Sequence, residues 1–517
     1  MFRRGLVKII QAFTLAVAGF LLLWMLMANW YFEWHSSIKV TTGAVIGSVL
    51  ISSLLLLVVI GGSYWLGRQK TSWIIGSFTG LTALKFPVVA WLKIAPTSDF
   101  WNYHTLAAFN AQGLTWQRML ERGDLGSYVI FPHALNIANF FSFSTALAGD
   151  NFFISQFINI SCTFLDMLLL YWLVARWLSR RMGVLASLIF YCIPAYWLYS
   201  TLLNGAEPLF LTCVLLTMFA LTRVVVPLPT ATTNDQWLNL VLAWVATVVA
   251  NMVRPVMTIW LIALVIFTLA LGLQSTKVLR QHGKKILLYV GATVLVMAAS
   301  TGIYSWLYGF QVAPSSVTAG YSLAIGTSNQ TKGMYDPQIA SQVNRELKVT
   351  PNLTRAYPRI AKTMQRDVQK NLTALRGQEI PFINQKMRGL MGEDYGYNWV
   401  LYNLSHAKSQ RKTAIRWYQL KGLITIVSYN YFQVMLVLAL GSVGLGLGVL
   451  FKKNYLNNYF FYSALLLDGF TISSLIMEVQ GRYHVILYLP IIFLIICGGA
   501  AMASWIHSKQ LNRTTPD

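Results

Sequence analysis

Charged side chains are scarce in this sequence. Of its 517 residues, 11% are charged and 56% are hydrophobic, whereas a soluble domain carries about 25% charged residues. This shortage excludes a soluble globular protein and indicates an all-α polytopic membrane protein.

Acidic residues are the scarcer of the two charge types. The 17 Asp and Glu residues stand against 40 Lys and Arg, which gives a net charge of +23. Such a balance could indicate nucleic-acid binding, but the apolar composition argues against that partner. In a membrane protein the basic residues first set the topology, and only the excess needs a functional explanation. We therefore expect the lipid bilayer as a partner and no nucleic acid.

Cysteine is also rare. The four cysteines, Cys162, Cys192, Cys213 and Cys497, all fall inside apolar runs. Their positions exclude a disulfide framework and show no metal-ligand spacing. The sequence therefore indicates no cofactor; a divalent metal is possible but not indicated.

The sequence is rich in long apolar runs. Windows of about 20 residues predict twelve membrane spans. In chain order these are Leu6–Asn29, Gly43–Leu66, Ser72–Ile94, Phe152–Val174, Gly183–Leu203, Ala206–Val226, Trp237–Val253, Val256–Leu273, Ile286–Leu307, Leu423–Phe451, Tyr459–Met477 and Val485–Ile506. The first run resembles a signal peptide but is too long for one, so we interpret it as an uncleaved span.

Basic residues are concentrated in alternate connections between these spans, for example at Arg3, Arg68, Arg180, Lys284 and Lys509. Because cytoplasmic loops carry the excess of Lys and Arg, this set is predicted to be cytoplasmic. Both termini would then lie in the cytoplasm, and the two long connections would face outward. The location predicted is a cell membrane, that of a bacterium.

The two long connections divide the chain. Residues 1–307 form a transmembrane module that contains a first outer loop at 97–151, in which Pro132–Ser144 suits a helix lying in the interface. Residues 308–422 form a small, mainly helical outer domain, and residues 423–517 form the C-terminal spans. From Lys332 to Lys421 the outer domain has 16 basic and 6 acidic residues. That excess suits phosphates or an acidic polymer, although a basic face solvated near anionic lipid headgroups would look the same.

Polar side chains recur in four connections on the predicted outer face. Charges at a membrane boundary are costly to desolvate and often mark a site. The four clusters are Asp99, Tyr103 and His104; Glu207 in a tight turn; Arg254 in the next such turn; and Arg482, Tyr483 and His484 in the last turn. Asp99 alone could be a helix N-cap, so the case for chemistry depends on the other clusters.

Each residue type in these clusters suits a different part of a reaction. Arg254 and Arg482 can bind phosphate oxygens, with Tyr483 and His484 as further donors; Tyr103 and His104 also stand among the predicted substrate-binding residues. Asp99 can accept the proton of an acceptor hydroxyl that attacks a phosphate-activated sugar. Glu207 could orient the sugar or the base. No glycine-rich nucleotide loop appears on the cytoplasmic side, which argues against a nucleotide-sugar donor.

These motifs resemble those of GT-C membrane glycosyltransferases, and most closely the bacterial proteins grouped with protein O-mannosyltransferases (glycosyltransferase family 39). The resemblance is carried by SDFWNYH at 98–104, AEPLF at 206–210, the Arg254-Pro255 turn, GRYH at 481–484 and GTSNQTKGMYD at 326–336. It implies a polyprenyl-phosphate-sugar donor, Asp99 as catalytic base and Arg482 as the binder of the lipid phosphate. Family members often have an Asp-Glu pair where Phe100 follows Asp99 here, and many have one span before this loop instead of three.

Two other classes remain open. A lipid-linked glycan polymerase or ligase would also have many spans and a basic outer loop, but it would depend on arginines more than on a carboxylate. A lipid or sugar transporter would be expected to have internal repeats, and none is visible. The acceptor is expected to be extracytoplasmic and could be an acidic polymer.

One charged residue lies deep in a predicted span. Because an unpaired charge at that depth is costly, we expect Lys85 to form an ion pair with Asp166 or, as the alternative, with Asp468. Asp166 is favoured because it belongs to the next span.

Overall fold

The computed structural model describes residues 2–35, 40–392, 397–405, 412–453 and 456–514. Four of the charged residues counted in the outer domain, Lys408, Arg411, Glu393 and Asp394, lie outside these ranges. The described chain is helical throughout and contains no β-strand. The predicted all-α class is therefore confirmed.

Twenty-three α-helices are described, together with 3₁₀ turns at Gly126–Ile130 and Gly481–Leu487. The helices are α1 (Phe2–His35), α2 (Thr42–Leu66), α3 (Thr71–Ala83), α4 (Lys85–Leu92), α5 (Ser98–Ala111), α6 (Trp116–Glu121), α7 (Pro132–Ala148), α8 (Phe152–Trp177), α9 (Arg180–Tyr191), α10 (Pro194–Leu202), α11 (Glu207–Val225), α12 (Thr233–Val253), α13 (Met257–Gln274), α14 (Thr276–Tyr308), α15 (Ser315–Gly326), α16 (Pro337–Val349), α17 (Leu353–Ala374), α18 (Glu379–Gly392), α19 (Tyr397–Ser405), α20 (Lys412–Gln419), α21 (Lys421–Lys453), α22 (Asn458–Ile476) and α23 (Tyr488–Thr514).

Eleven segments of the described chain are long and apolar enough to cross a membrane, and a bent helix pair makes a twelfth if it counts as one span. Each of the twelve predicted spans overlaps one of them. The chain is a multi-pass membrane protein.

The bent pair consists of α9 and α10, which meet at an angle of 68°. The break precedes Pro194, and Ile193 has an extended backbone with ψ of 108°. Proline cannot donate to the previous helical turn and disfavours helical geometry in the residue before it. The predicted continuous span Gly183–Leu203 is therefore interrupted near its middle.

This break also explains why the predicted Lys85–Asp166 ion pair is wrong, as both residues are described and they form no salt bridge. Lys85 donates to Ser200 Oγ (2.7 Å) and to the Trp197 carbonyl (3.2 Å). Asp166 accepts from Thr212 Oγ1 at 2.6 Å and from a tyrosine of α10. The short α10 packs against α4 and α8. It supplies both partners of Lys85 and one of the two partners of Asp166, so the two side chains are bonded separately.

The two long connections lie on one side of the bundle, which we call the loop side. Pro132–Ser144, predicted to be an interfacial helix, is part of α7, and α7 packs against α5. The two connections share one hydrophobic cluster, in which Met119 and Val129 of the first meet Tyr308, Tyr321 and Tyr357 at and beyond the end of α14. The two connections therefore form a continuous layer over the spans.

Candidate active site

A cavity of about 1270 Å³ opens on the loop side. Three of the four predicted clusters contribute to its wall: Asp99 and Tyr103 from the first, Arg254 from the third, and Arg482 and Tyr483 from the last. Residues that are 383 positions apart in sequence, Asp99 and Arg482, are thus in direct contact.

Asp99 lies in the first turn of α5. Its Oδ2 accepts from Arg482 Nη2 at 2.8 Å, and its Oδ1 accepts from the Tyr128 hydroxyl at 2.9 Å. Asn102 donates in turn to that hydroxyl at 2.7 Å. Thr97, not Asp99, occupies the N-cap position, and neither bonds the helix backbone through its side chain. The carboxylate of Asp99 therefore faces the cavity instead of capping the helix.

The backbone before Asp99 is strained. Ser98 has a φ of +53°, and it is one of three non-glycine residues with positive φ among those described. Lys332, at φ of +57°, is another, and both Ser98 and Lys332 line the cavity. Such conformations cost about 1–3 kcal/mol each and concentrate at functional sites.

The electrostatics of Asp99 favour its ionised form. Burial opposes ionisation, but the charge and hydrogen bond of Arg482, followed by the hydrogen bond from Tyr128, outweigh it. The pKa of Asp99 is therefore held below its usual value. Burial and the charge of Asp99 act in the opposite sense on Tyr128 and raise the pKa of its phenol.

Glu207 forms the second carboxylate–arginine pair. Its side chain is 2% exposed and accepts from Arg254 Nη2 and from the Tyr199 hydroxyl. Arg254 lines the cavity, whereas Glu207 lies behind it. Gly205 makes this arrangement possible, because a Cβ there would overlap the Tyr199 phenol. The adjacent Asn204 donates to the Phe100 carbonyl at 3.0 Å, which ties this turn to the start of α5.

Tyr483 lies between the two arginines. The guanidinium carbon of Arg254 is 5.4 Å from the centre of its ring, and that of Arg482 is 5.7 Å away. Tyr103 is buried beside them, and burial together with the Asp99 charge raises the pKa of its phenol. The result is a corner of the cavity with two arginines, each already paired with one carboxylate.

The two predicted histidines lie outside the cavity wall. His104 pairs with Asp150 at 3.3 Å, and burial lowers the pKa of its imidazole. His484 is fully buried, where its Nδ1 lies 2.9 Å from the Leu390 carbonyl and its ring stacks on Phe432. Their predicted part in substrate binding stays a prediction.

Sequence reasoning missed several residues of the wall. Tyr128 carried no signal, and His133 was assigned only to an interfacial helix. Burial and the Arg254 charge lower the pKa of His133 to about 3, so its imidazole is neutral near pH 7. Glu478, four residues before Arg482 in the same connection, was given no role. Burial raises its pKa, and it accepts from Gln480 at 2.6 Å.

The segment that carries Glu478 and Arg482 is fixed by the GTSNQTKGMYD sequence at 326–336. The Val479 N–H donates to the Gly333 carbonyl at 2.9 Å, and the Glu478 N–H donates to the carbonyl of Ser322 in the preceding helix α15. The buried Lys386 donates to the carbonyls of Gly326 and Met477, each at 2.7 Å. Burial lowers the pKa of Lys386 to about 8. The loop thus acts as a brace for the cavity wall.

Among the described residues, no group of three or more His, Cys, Asp or Glu side chains is arranged to hold a metal ion. The side chains at the wall offer carboxylates, arginine and lysine cations, an imidazole and tyrosine hydroxyls.

Residues 132–304 match the family model described as dolichyl-phosphate-mannose-protein mannosyltransferase. This segment runs from α7 into α14 and contains His133, Glu207 and Arg254, but neither Asp99 nor Arg482. The resemblance to a glycosyltransferase family is thereby confirmed over this segment, which holds the AEPLF and Arg254-Pro255 motifs. A comparison with curated proteins gives no match.

Two solved structures of ArnT from Cupriavidus metallidurans also align with the chain. The crystal structure bound to undecaprenyl phosphate is 13% identical, covers 84% of this chain and 79% of its own, and has a TM-score of 0.29. The apo structure is 12% identical, covers 82% and 77%, and has a TM-score of 0.27.

Proposed function

We propose, on the premise that residues 132–304 match a mannosyltransferase family, that this chain is an integral-membrane GT-C glycosyltransferase. It moves a sugar from a polyprenyl-phosphate donor to an extracytoplasmic acceptor. The observation that carries the proposal is the pairing of Asp99 with Arg482 at a cavity wall that Arg254 also lines. A base and two phosphate-binding cations there are what this reaction needs.

Arg482 and Arg254 bind the donor phosphate. Each guanidinium has several donors in a planar fork. It can therefore contact a phosphate oxygen while it either keeps its hydrogen bond to the carboxylate or gives that bond up. Glu207 holds Arg254 in place from behind the wall. Tyr103 and Tyr483, which line the same corner, are placed to donate to the phosphate or to the sugar.

Asp99 is the base. The acceptor hydroxyl gives its proton to Asp99 as its oxygen bonds to the anomeric carbon, and the bond from that carbon to the phosphate oxygen breaks. The departing lipid phosphate takes the electron pair, and the two arginines stabilise its charge. Because phosphate leaves readily once its charge is stabilised, no second carboxylic acid is required.

Binding of the donor can also activate Asp99. In the free protein the Arg482 charge lowers the pKa of Asp99 and makes it a weak base. If the donor phosphate draws Arg482 toward itself, Asp99 keeps its burial and loses its main counter-charge. Its pKa then rises toward the range in which a carboxylate accepts a proton effectively.

The loop side is extracytoplasmic in this proposal. Alternate connections carry the basic residues, among them Arg68 and Lys284, which by the positive-inside rule puts those connections and both termini in the cytoplasm. The cavity then opens on the outer face of the cell membrane, that of a bacterium, where a lipid-linked sugar can supply the donor.

Asp99→Asn tests the proposal in purified protein that is reconstituted into liposomes with a radiolabelled polyprenyl-phosphate sugar. The amide keeps the shape but loses the basicity, so sugar transfer should fall by about 10²–10⁴-fold. Asp124→Asn is the matched control, because Asp124 pairs with Arg122 and neither residue lines the cavity, and it should transfer sugar like the wild type. Equal unfolding temperatures must accompany the loss.

Three results would contradict the proposal. Near-wild-type transfer by Asp99→Asn would remove Asp99 from the mechanism. Movement of the lipid-linked sugar across the bilayer without product would indicate a transporter. A product in which lipid-linked glycans are joined to each other, unaffected by Asp99→Asn, would indicate a polymerase or ligase.

A further inference from the structure

Five basic residues form a straight row on α17. They are Arg355, Arg359, Lys362, Arg366 and Lys370, and all five are exposed. Their spacings of 4, 3, 4 and 4 residues place them within about 80° of one another around a helix that turns about 100° per residue. The row runs for about 22 Å at 1.5 Å per residue. We call it the basic row.

The opposite face of α17 is buried. Ala356, Tyr357, Ile360 and Met364 are each at most 2% exposed and belong to the hydrophobic cluster shared by the two long connections. The Tyr357 hydroxyl donates to the Gln311 carbonyl at 2.9 Å, just beyond the end of α14. Because α17 rests on the end of a span through this face, the basic row points away from the spans.

Most of the charge in the basic row is not balanced within the helix. Like charges three or four residues apart destabilise a helix by about 0.2–0.5 kcal/mol per pair, and the row contains four such successive pairs. None of its members forms a salt bridge within the described chain. Asp367, the acidic residue of α17, lies beside Lys370 at the end of the row and feels its charge, which leaves four of the five cations without an acidic neighbour on this helix. A row that weakens its own helix is consistent with a bound counter-charge.

The row continues toward the cavity through α16. Ala340 and Asn344 of α16 line the cavity, and Asn344 is exposed at its edge. Arg345 and Lys348 follow on the same helix and are exposed. Arg359 of the row donates to Thr350 at the end of α16 at 3.0 Å. A basic path thus leads from the cavity mouth onto α17.

We propose that the basic row is a docking track for a linear polyanion, which is the acceptor of the reaction. The identification of the polyanion as the acceptor rests on the proposed function, whereas its binding to the row does not. A single phosphate is held by donors that converge on one point, whereas these charges repeat in a line about every 6 Å. A chain with an anionic group in each repeat fits such a line, and its end reaches the cavity along α16.

Binding of a labelled, linear inorganic polyphosphate tests the track in the purified full-length protein in nanodiscs of neutral lipid. The variant Arg355→Gln, Lys362→Gln, Arg366→Gln removes three charges from the row. The matched control Lys412→Gln, Arg416→Gln, Lys421→Gln removes three exposed charges from the α20 region. The row variant should bind at least about tenfold more weakly at low salt, and the control should bind like the wild type.

Two outcomes would overturn the track. An equal loss in both variants would mean that net charge alone attracts the polyanion. If the row variant kept its polyphosphate affinity but lost binding to phosphatidylglycerol vesicles, the row would serve the lipid surface instead.

Transfer assays separate this inference from the proposed function. The row variant should still transfer sugar to a short neutral acceptor, because the cavity is unchanged. If wild-type protein bound polyphosphate through the row but transferred no sugar to any acceptor, the proposed function would be wrong and the docking track would stand. If transfer occurred but the row variant bound polyphosphate normally, the track would be wrong and the transferase would stand.

Discussion

Asp99 has to meet two requirements that oppose each other. It must be ionised to accept a proton, and it must be basic enough to do so effectively. The ion pair with Arg482 and the hydrogen bond from Tyr128 secure the first requirement at the expense of the second, since both lower its pKa. A donor phosphate that competes for Arg482 would reconcile the two.

Tyr128→Phe should change the pH dependence of transfer. The lowered pKa of Asp99 means that its ionised form, and the stability its ion pair contributes, are present above the pKa of an unfolded Asp, about 4. Both are lost as the pH falls through the lower folded-state value. Removing the Tyr128 hydroxyl takes away one contact that lowers this pKa, so the acid limb of the kcat profile should move to higher pH. An unchanged limb in a folded variant would show that Asp99 does not control it.

Helix packing explains how distant motifs reach the same cavity. Gly326 ends α15, and a Cβ there would lie 2.5 Å from the Met477 carbonyl carbon. This close approach lets the loop after Gly326 bond the segment that carries Glu478 and Arg482. The GTSNQTKGMYD sequence therefore supports the site through backbone contacts, and its Lys332 also lines the cavity.

Gly326→Ala should displace this segment. The added methyl meets backbone, which cannot move aside cheaply, so we expect a loss of about 1–3 kcal/mol in stability together with weaker donor binding. Gly320→Ala in the same helix is the matched control. Its Cβ would meet Met364 at an ordinary 3.6 Å, so this variant should be neutral or up to about 1 kcal/mol more stable. Thermal unfolding and the donor KM of both variants check the prediction; equal behaviour would contradict it.

Sequence patterns predicted individual elements better than contacts between them. The spans follow from apolar length alone, so all twelve have a counterpart in the structure. Whether the chain kinks or starts a new helix at Pro194 depends on tertiary packing, because proline is tolerated both at a helix start and at a kink. The new helix after Pro194 places Ser200 within hydrogen-bond distance of Lys85, and no pattern in the sequence predicts this contact.

At the scale of the whole molecule, the sequence likewise predicted individual site residues better than the contacts between them. Charged residues at membrane boundaries were identifiable one by one, and five of the eight predicted site residues line the cavity. Which carboxylate faces which arginine depends on how α5, α11 and the last connection pack. Tyr128 and His133 were not identifiable, since a tyrosine or histidine in an amphipathic loop has no distinctive spacing. Their positions became visible only once the two long connections were seen to form one layer.

The orientation of the chain in the membrane determines which substrates can reach the cavity. Gln281 on α14 and Gln369 on α17 are both exposed, and a single span, Arg280–Tyr308, separates the two regions. Gln281 stands at the first turn of this span and Gln369 lies well beyond its end, so we expect the two on opposite sides of the membrane; the basic residues near Gln281 predict that it is cytoplasmic. The native cysteines are buried or partly buried, so they should contribute little background to labelling. Gln369→Cys should react with a membrane-impermeant maleimide in intact cells, whereas Gln281→Cys should react only after permeabilisation. The reverse pattern would place the cavity and the basic row in the cytoplasm, where neither an outer-face lipid-linked donor nor an extracytoplasmic polyanion could reach them.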